Sequence, residues 1–190
     1  MGRIGKRLIL RAAEKSSNDT RRVLHVAAGE DEMESASALI ERLGLAPHPE
    51  GGWFREVHRA AERVVTPRGE RAALTTIYYL LERGQQSRWH VVSSDEIWHF
   101  YAGAPLELIT YDPRSRELRC NVLGSPTGSQ ESIGIVPSGI WQAARGLGDW
   151  SLMGCNVGPG FEFEDFRFVA ALPDHASHFT GELSRYAELL

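Results

Sequence analysis

Apolar and polar positions alternate with a short period over most of this chain. "RAALTTIYYLLERG", "RWHVV", "EIWHFYAG", "LELITYDP", "ELRCNVLG", "IGIVPSG", "WQAARG", "SLMGCNVGPG" and "FRFVAALP" are brief strand-like runs, rich in β-branched and aromatic residues and cut by Gly, Pro, Asp and Ser. "EGGWFREVHRA" reads as a turn followed by a further strand. Many short strands without intervening helices predict a sandwich or barrel. Helical spacing occurs at the two ends. In "DEMESASALIERLGLAPHPEGG", Met33, Ala36, Ile40 and Leu43 share a helix face, Asp31 and Glu34 resemble a capping box, and Gly44 and Pro47 end the element. "DHASHFTGELSRYAELL" predicts a short C-terminal helix. In "GPGFEFEDF", Glu162, Glu164 and Asp165 interleave with Phe161, Phe163 and Phe166, which reads as the solvated face of an edge strand.

Composition narrows the classes. At 190 residues and 42% hydrophobic content the chain suits one domain, expected over residues 33–190, with 1–32 a basic, poorly ordered extension. Residues 1–29 carry seven Lys/Arg against two acids, so the net charge of −4 leaves −9 for the remainder. No nucleic-acid partner is expected of so acidic a body. Lys6 and Lys15 both lie in the basic segment, so the body has no amine for a Schiff base or a phosphate loop. Cys120 and Cys155 form no CxxC, and no apolar run reaches the length of a membrane span, so a cytoplasmic setting without membrane contact is expected. Neither cysteine has a catalytic histidine pattern and Ser138 lacks a nucleophile-elbow context, which disfavours covalent catalysis.

Reactive side chains gather in "GQQSRWHVVSSDEIWHFYAG". By strand parity Arg88, His90 and Val92 share a face, as do Glu96, Trp98 and Phe100, whereas Ile97, His99 and Tyr101 face the other way. If "SSD" closes a hairpin, His90 and Glu96 both point into a barrel. Residues 84–103 resemble the first cupin motif at Gly84, His90, Glu96 and Gly103, with Val92 where the second motif histidine would stand. "PSGIWQAARG" is similar to the second cupin motif at Pro137 and Gly139, with Gln142 in place of its histidine, Gly146 of its asparagine and Glu131 of its leading glycine. Together with "LGLAPHPEGGWFREVHR" and "GCNVGPGFEFEDF", residues 35 to 172 resemble an uncharacterised cupin family whose members are often labelled predicted sugar epimerases. The resemblance implies a mainly β fold, a single cupin jelly-roll barrel with an N-terminal helix and a short C-terminal helix, and a homodimer. It implies less about the reaction, because one fold hosts many functions.

A typical cupin holds a divalent ion with three imidazoles and a carboxylate. The matching positions here supply His90, Glu96 and Gln142, while Val92 supplies nothing and a carboxamide is a weak ligand, so no cofactor is expected and a bound metal is disfavoured. Acid–base chemistry asks less: an imidazole with a pKa near ~6.5 beside a carboxylate takes and returns a proton at neutral pH. The resembling dTDP-sugar 3,5-epimerases use histidine as base and tyrosine as acid, which casts His90 as base, Glu96 as its orienting partner, and Tyr78, Tyr79 or Tyr101 as acid. Gln142 would fix the substrate. Arg55, Arg88 and Arg145 would hold the phosphates of a sugar nucleotide, with Tyr78, Trp98 and Phe100 as further contacts and Trp53, Trp98 and Trp141 as flat walls. The competing readings are a non-catalytic ligand-binding or sensor cupin, and a metal-dependent dioxygenase or isomerase. His90 and Glu96 as a pair that only satisfies two buried groups is a further alternative.

Overall fold

The computed structural model of the chain describes residues 34–126, 128 and 130–190. The basic extension expected over residues 1–32 lies outside them. Helix α1 (Ala36–Leu43) is capped by Ser35, whose Oγ accepts the Ala38 N–H at 3.3 Å. The expected cap, Asp31, is outside the described residues. Gly44 ends the helix in the left-handed region at φ 61°, as a C-terminal glycine does.

Thirteen strands follow among the described residues: β1 (Ala46–Pro47), β2 (Trp53–Arg59), β3 (Arg63–Thr66), β4 (Gly69–Ala72), β5 (Thr75–Glu82), β6 (Gln86–Val92) and β7 (Asp95–Gly103), and then β8 (Leu106–Asp112), β9 (Glu117–Leu123), β10 (Ile133–Val136), β11 (Trp141–Gly146), β12 (Trp150–Gly158) and β13 (Phe166–Phe168). They form a six-stranded sheet in the order β1-β2-β5-β12-β7-β10, a five-stranded sheet in the order β13-β6-β11-β8-β9, and the separate hairpin β3-β4. The two large sheets face one another as a jelly-roll sandwich. The expected barrel is therefore open, made of two sheets that do not close into one another. Among the described residues, no helix is long and apolar enough to cross a membrane.

Inward side chains of both sheets make the core. Tyr79, Leu81, Trp98, Met153 and Cys155 from one sheet meet Leu106, Leu108, Leu123 and Ala144 from the other. Each fully buried large side chain here contributes roughly 1.5–3 kcal/mol. A second cluster joins Trp89, Ile109, Tyr111 and Trp141, on the outer face of the five-stranded sheet, to Leu183, Tyr186 and Leu189 of the C-terminal segment. The expected short C-terminal helix is present as a 3₁₀ helix, Gly181–Leu189, preceded by the single 3₁₀ turn His175–Ser177. Its three buried anchors recur every third residue, which is the 3₁₀ period, and the Tyr186 carbonyl accepts the Trp89 Nε1–H at 2.9 Å.

One topological expectation is overturned. Strands β6 and β7 are consecutive but do not pair as a hairpin: β6 pairs with β11 and β13, and β7 with β12 and β10. Ser93 and Ser94 carry the chain from one sheet to the other. His90 and Glu96 both still point between the sheets, but from opposite walls.

Candidate active site

The approach of the first strands to β6 depends on two glycines. In "HPEGG", Gly51 has φ 119° and Gly52 φ 69°, and a Cβ on Gly51 would stand 2.0 Å from the Gln86 carbonyl oxygen. Only glycine permits that backbone and that closeness. The turn is tied down by the Arg88 N–H to the Glu50 carbonyl at 3.0 Å and by the Tyr79 hydroxyl to the Gly51 carbonyl at 2.8 Å. As a result the Glu50 side chain enters the space between the sheets.

There it reaches His90. Nδ1 of His90 lies 2.7 Å from the Arg88 carbonyl and 3.2 Å from Oε2 of Glu50. A carbonyl can only accept, so Nδ1 carries the proton and Nε2 is the basic nitrogen of the neutral ring. The imidazole stacks on Phe166 at 5.3 Å between centroids. On the other side of Glu50, Nδ1 of His48 accepts the Glu50 N–H at 3.3 Å and lies 3.6 Å from Oε1. Glu96, on the opposite sheet, accepts from Nε2 of Gln142 at 2.6 Å, and Oε1 of Gln142 accepts the Trp98 indole N–H at 3.0 Å.

His48, Glu50, His90 and Glu96 line a cavity of about 100 Å³. Its walls are Phe54, Ile77, Val92, Cys155 and Val157. The segment after β12 supplies Phe161, Phe163 and Phe166, and the mouth carries Glu56, Arg59 and Glu162. His90 is 2% exposed, Glu50 6% and Glu96 7%. Burial in these apolar walls sets the protonation of all four groups. It pushes the Glu50 carboxyl up to about 8, against the opposing influence of the nearby Ser87 and Tyr79 hydroxyls and the charge of Arg88. Burial likewise raises Glu96 to about 7, and the nearby Glu50 charge adds to this while His90, Gln142 and Cys155 oppose it. Burial drives His48 down to about 4 and lowers His90, which the Glu96 charge partly resists. At neutral pH both imidazoles are neutral and the two carboxyls sit close to their titration points, which suits one acid and one base.

Several residues expected at this site lie elsewhere. Among the described residues no hydrogen bond or ion pair joins His90 to Glu96; their strands are in different sheets, and Glu50 takes the place beside the imidazole. Gln142 is buried between Trp98 and Glu96, accepting from the one and donating to the other, so its amide is not free to hold a substrate. Phe100 packs against the core rather than lining the cavity. Arg55 is exposed on the outer face of β2, its guanidinium 5.8 Å from the ring of Tyr78, which itself packs toward α1. Arg145 pairs with Glu107 at 2.7 Å and Glu188 at 3.3 Å on the far side of the five-stranded sheet. Arg88 is exposed, bonded to the Pro49 carbonyl at 2.8 Å and stacked on Phe168 at 4.4 Å. The expected solvated edge strand "GPGFEFEDF" is instead a 3₁₀ turn, Phe163–Asp165, whose flanking phenylalanines form the cavity lip. Asp165 is buried there, bonded by Arg71 at 2.8 and 3.0 Å and approached by Arg68 at 3.1 Å.

The metal of a typical cupin does not fit these residues. Val92 offers no donor and Gln142 is committed to Trp98 and Glu96, so of the expected set only His90 and Glu96 could serve. Among the described residues no group of three or more His, Cys, Asp or Glu is disposed to hold a metal ion.

Two facing antiparallel sheets with reactive side chains directed between them define a mainly β, cupin-type jelly-roll protein. The family model described as Cupin superfamily (DUF985) matches residues 37–169, and the chain belongs to that family. It is similar to a hypothetical protein from Leishmania major, with 34% identity over 70% of this chain and 86% of that one and a TM-score of 0.66. A crystal structure from Shewanella oneidensis shows 31% identity over 83% and 98% of the two chains, with a TM-score of 0.70. Oxalate decarboxylase from Bacillus subtilis, at 17% identity and a TM-score of 0.51 over 76% of this chain and 36% of that one, shares the fold. No match is found among curated proteins.

Proposed function

We propose that the interior cavity moves a proton next to the carbonyl of a compact, sugar-like molecule, as an epimerase or isomerase does. The observation that carries this reading is the contact of Glu50 with His90 at 3.2 Å on one wall, opposite Glu96 on the other. His90, oriented by Glu50 and the Arg88 carbonyl, takes the proton from carbon through Nε2. The Glu96 carboxyl, held by Gln142, gives a proton to the developing enolate oxygen or to the opposite face of the carbon. General acid–base groups placed in this way contribute roughly 10²–10⁴-fold each.

Cavity size favours a small substrate over a sugar nucleotide. About 100 Å³ suits a few heavy atoms, and Arg59, the cation at the mouth, is already paired with Glu56 and Glu162. The homodimer implied by the family resemblance has a ready surface on the outer face of the six-stranded sheet, where Tyr101, Ile133 and Ile135 are exposed. A monomeric mass in solution would exclude it.

The test is to incubate small aldoses and ketoses with the protein in D2O and follow exchange at the carbon next to the carbonyl by NMR. Exchange that falls at least 100-fold in His90→Gln and Glu50→Gln supports the reading. Ligands that bind without exchanging would replace it with a non-catalytic binding cupin.

A further inference from the structure

Resting on that reading of the cavity, we propose that its ligand carries a cationic amine, so that the substrate class is a small amino-carbonyl compound. The charge inventory leads there. Glu50, Glu56, Glu96 and Glu162 line the cavity or its mouth, against a single guanidinium. That guanidinium, Arg59, is already engaged by Glu56 at 2.9 and 3.0 Å, by Glu162 at 2.8 Å and by the Phe161 carbonyl at 3.1 Å. Among the described residues, Glu96 has no Lys, Arg or His nitrogen within ion-pair distance, and Glu50 has only the imidazoles of His48 and His90. Arg88 acts on Glu50 only through its field, with its Nη2 bonded to the Pro49 carbonyl.

A carboxylate withdrawn from water without a fixed counter-cation is disfavoured, and a cationic ligand removes that penalty. The remaining wall is also suited to a cation. Phe161 stands 5.2 Å from Phe163 and 6.2 Å from Phe166 in edge-on arrangements at the lip, with Phe54 further in. Aromatic faces attract an ammonium group, and they accept the apolar body of a small amine. An anionic ligand, by contrast, would meet four carboxyls and one neutralised arginine. The high proton affinity of Glu50 and Glu96 agrees with this inventory, since a bound ammonium would favour their charged forms.

Three probes of matched shape separate charge from fit: isobutylammonium, isobutanol and isobutyrate, titrated against the full chain by NMR at pH 7. The ammonium should bind at least tenfold more tightly than the alcohol, and isobutyrate more weakly than either. The ratio of ammonium to alcohol affinity should fall toward one in Glu50→Gln and Glu96→Gln; if a variant does not fold, the wild-type ratio alone decides. Isobutyrate binding as tightly as the ammonium, a ratio unchanged in both folded variants, or no binding of any probe would overturn the inference. Cation preference without exchange in D2O keeps this inference and retires proton transfer, whereas exchange on neutral sugars without cation preference does the reverse.

Discussion

The carboxylate of Glu50 approaches Nδ1 of His90 to 3.2 Å, joining the turn between β1 and β2 of the six-stranded sheet to a strand of the five-stranded one. The contact lines the cavity and gives His90 a carboxyl partner other than Glu96.

Stability should depend on pH through this cluster, and the sign follows from the direction of each shift. Glu50 and Glu96, raised from 4.5 to about 8 and about 7, bind protons more tightly folded than unfolded, so their contribution is full below pH 4.5 and is lost as pH rises through the folded values. His48, lowered from 6.5 to about 4, and His90, lowered as well, act oppositely: their contribution is full above 6.5 and is lost as pH falls through the folded values. The two effects oppose one another below pH 6.5, and above it only the carboxyls remain. Thermal unfolding should show Tm falling by several degrees between pH 6.5 and 8, with a flatter profile in Glu50→Gln and Glu96→Gln.

Gln142→Leu removes the bridge between Trp98 and Glu96 and leaves a buried indole N–H and a carboxyl oxygen without this partner. Each such loss costs about 1–3 kcal/mol. Urea denaturation should record a drop of that order, and proton exchange by the folded variant should decline because Glu96 is no longer held.

Arg55→Ala and Arg145→Ala sit on outer faces, at the Tyr78 ring and the Glu107–Glu188 pair. Ligand affinity should change less than twofold in both. A tenfold loss in either would return these arginines to the site.

Restoring imidazoles tests the donor-set argument. Val92→His combined with Gln142→His should raise retained iron or manganese toward one equivalent after desalting, measured by elemental analysis. The wild type should keep far less. Equal retention by both proteins would show that the native residues bind metal after all.

Arg71→Leu deletes a two-point contact to Asp165, whose side chain is 3% exposed. Urea denaturation at neutral pH should record a loss of stability, limited by the Arg68 contact that Asp165 keeps. Asp165 is held below its ordinary value first by Arg71, so this contribution is present above pH 3.8 and is lost as pH falls through the folded value. Wild type and variant should converge in acid.

Strand content was legible because alternation reports burial directly, and the parity of His90 with Val92 and of Glu96 with Trp98 survives in the structure. What parity cannot report is which sheet a strand joins. A short connection such as Ser93–Ser94 serves a hairpin and a sheet-to-sheet crossing equally well, so Glu96 was assigned to His90 although its hydrogen bond runs to Gln142. Glu50 and His48 are not legible as site residues because a Pro- and Gly-rich turn reads as surface punctuation. The available signal was the pair Gly51-Gly52 directly after an acid, since adjacent glycines often mark a close backbone approach, here to Gln86. Phe161, Phe163 and Phe166 alternate with acids as an edge strand would, but tertiary contacts hold the segment at the cavity, among them the Arg68 and Arg71 pairs to Asp165 and the Phe161 N–H to Thr75.

That ion pair has a consequence for how such a molecule diversifies. Asp165 is grasped by Arg68 and Arg71, which belong to the β3–β4 hairpin, a two-stranded peninsula outside both large sheets. The aromatic lip is thereby moored to a part of the chain that carries none of the cavity's acid–base groups. Lengthening, shortening or exchanging the peninsula would reshape the doorway while Glu50, His90 and Glu96 keep their places, so the entrance and the interior of the cavity can vary separately.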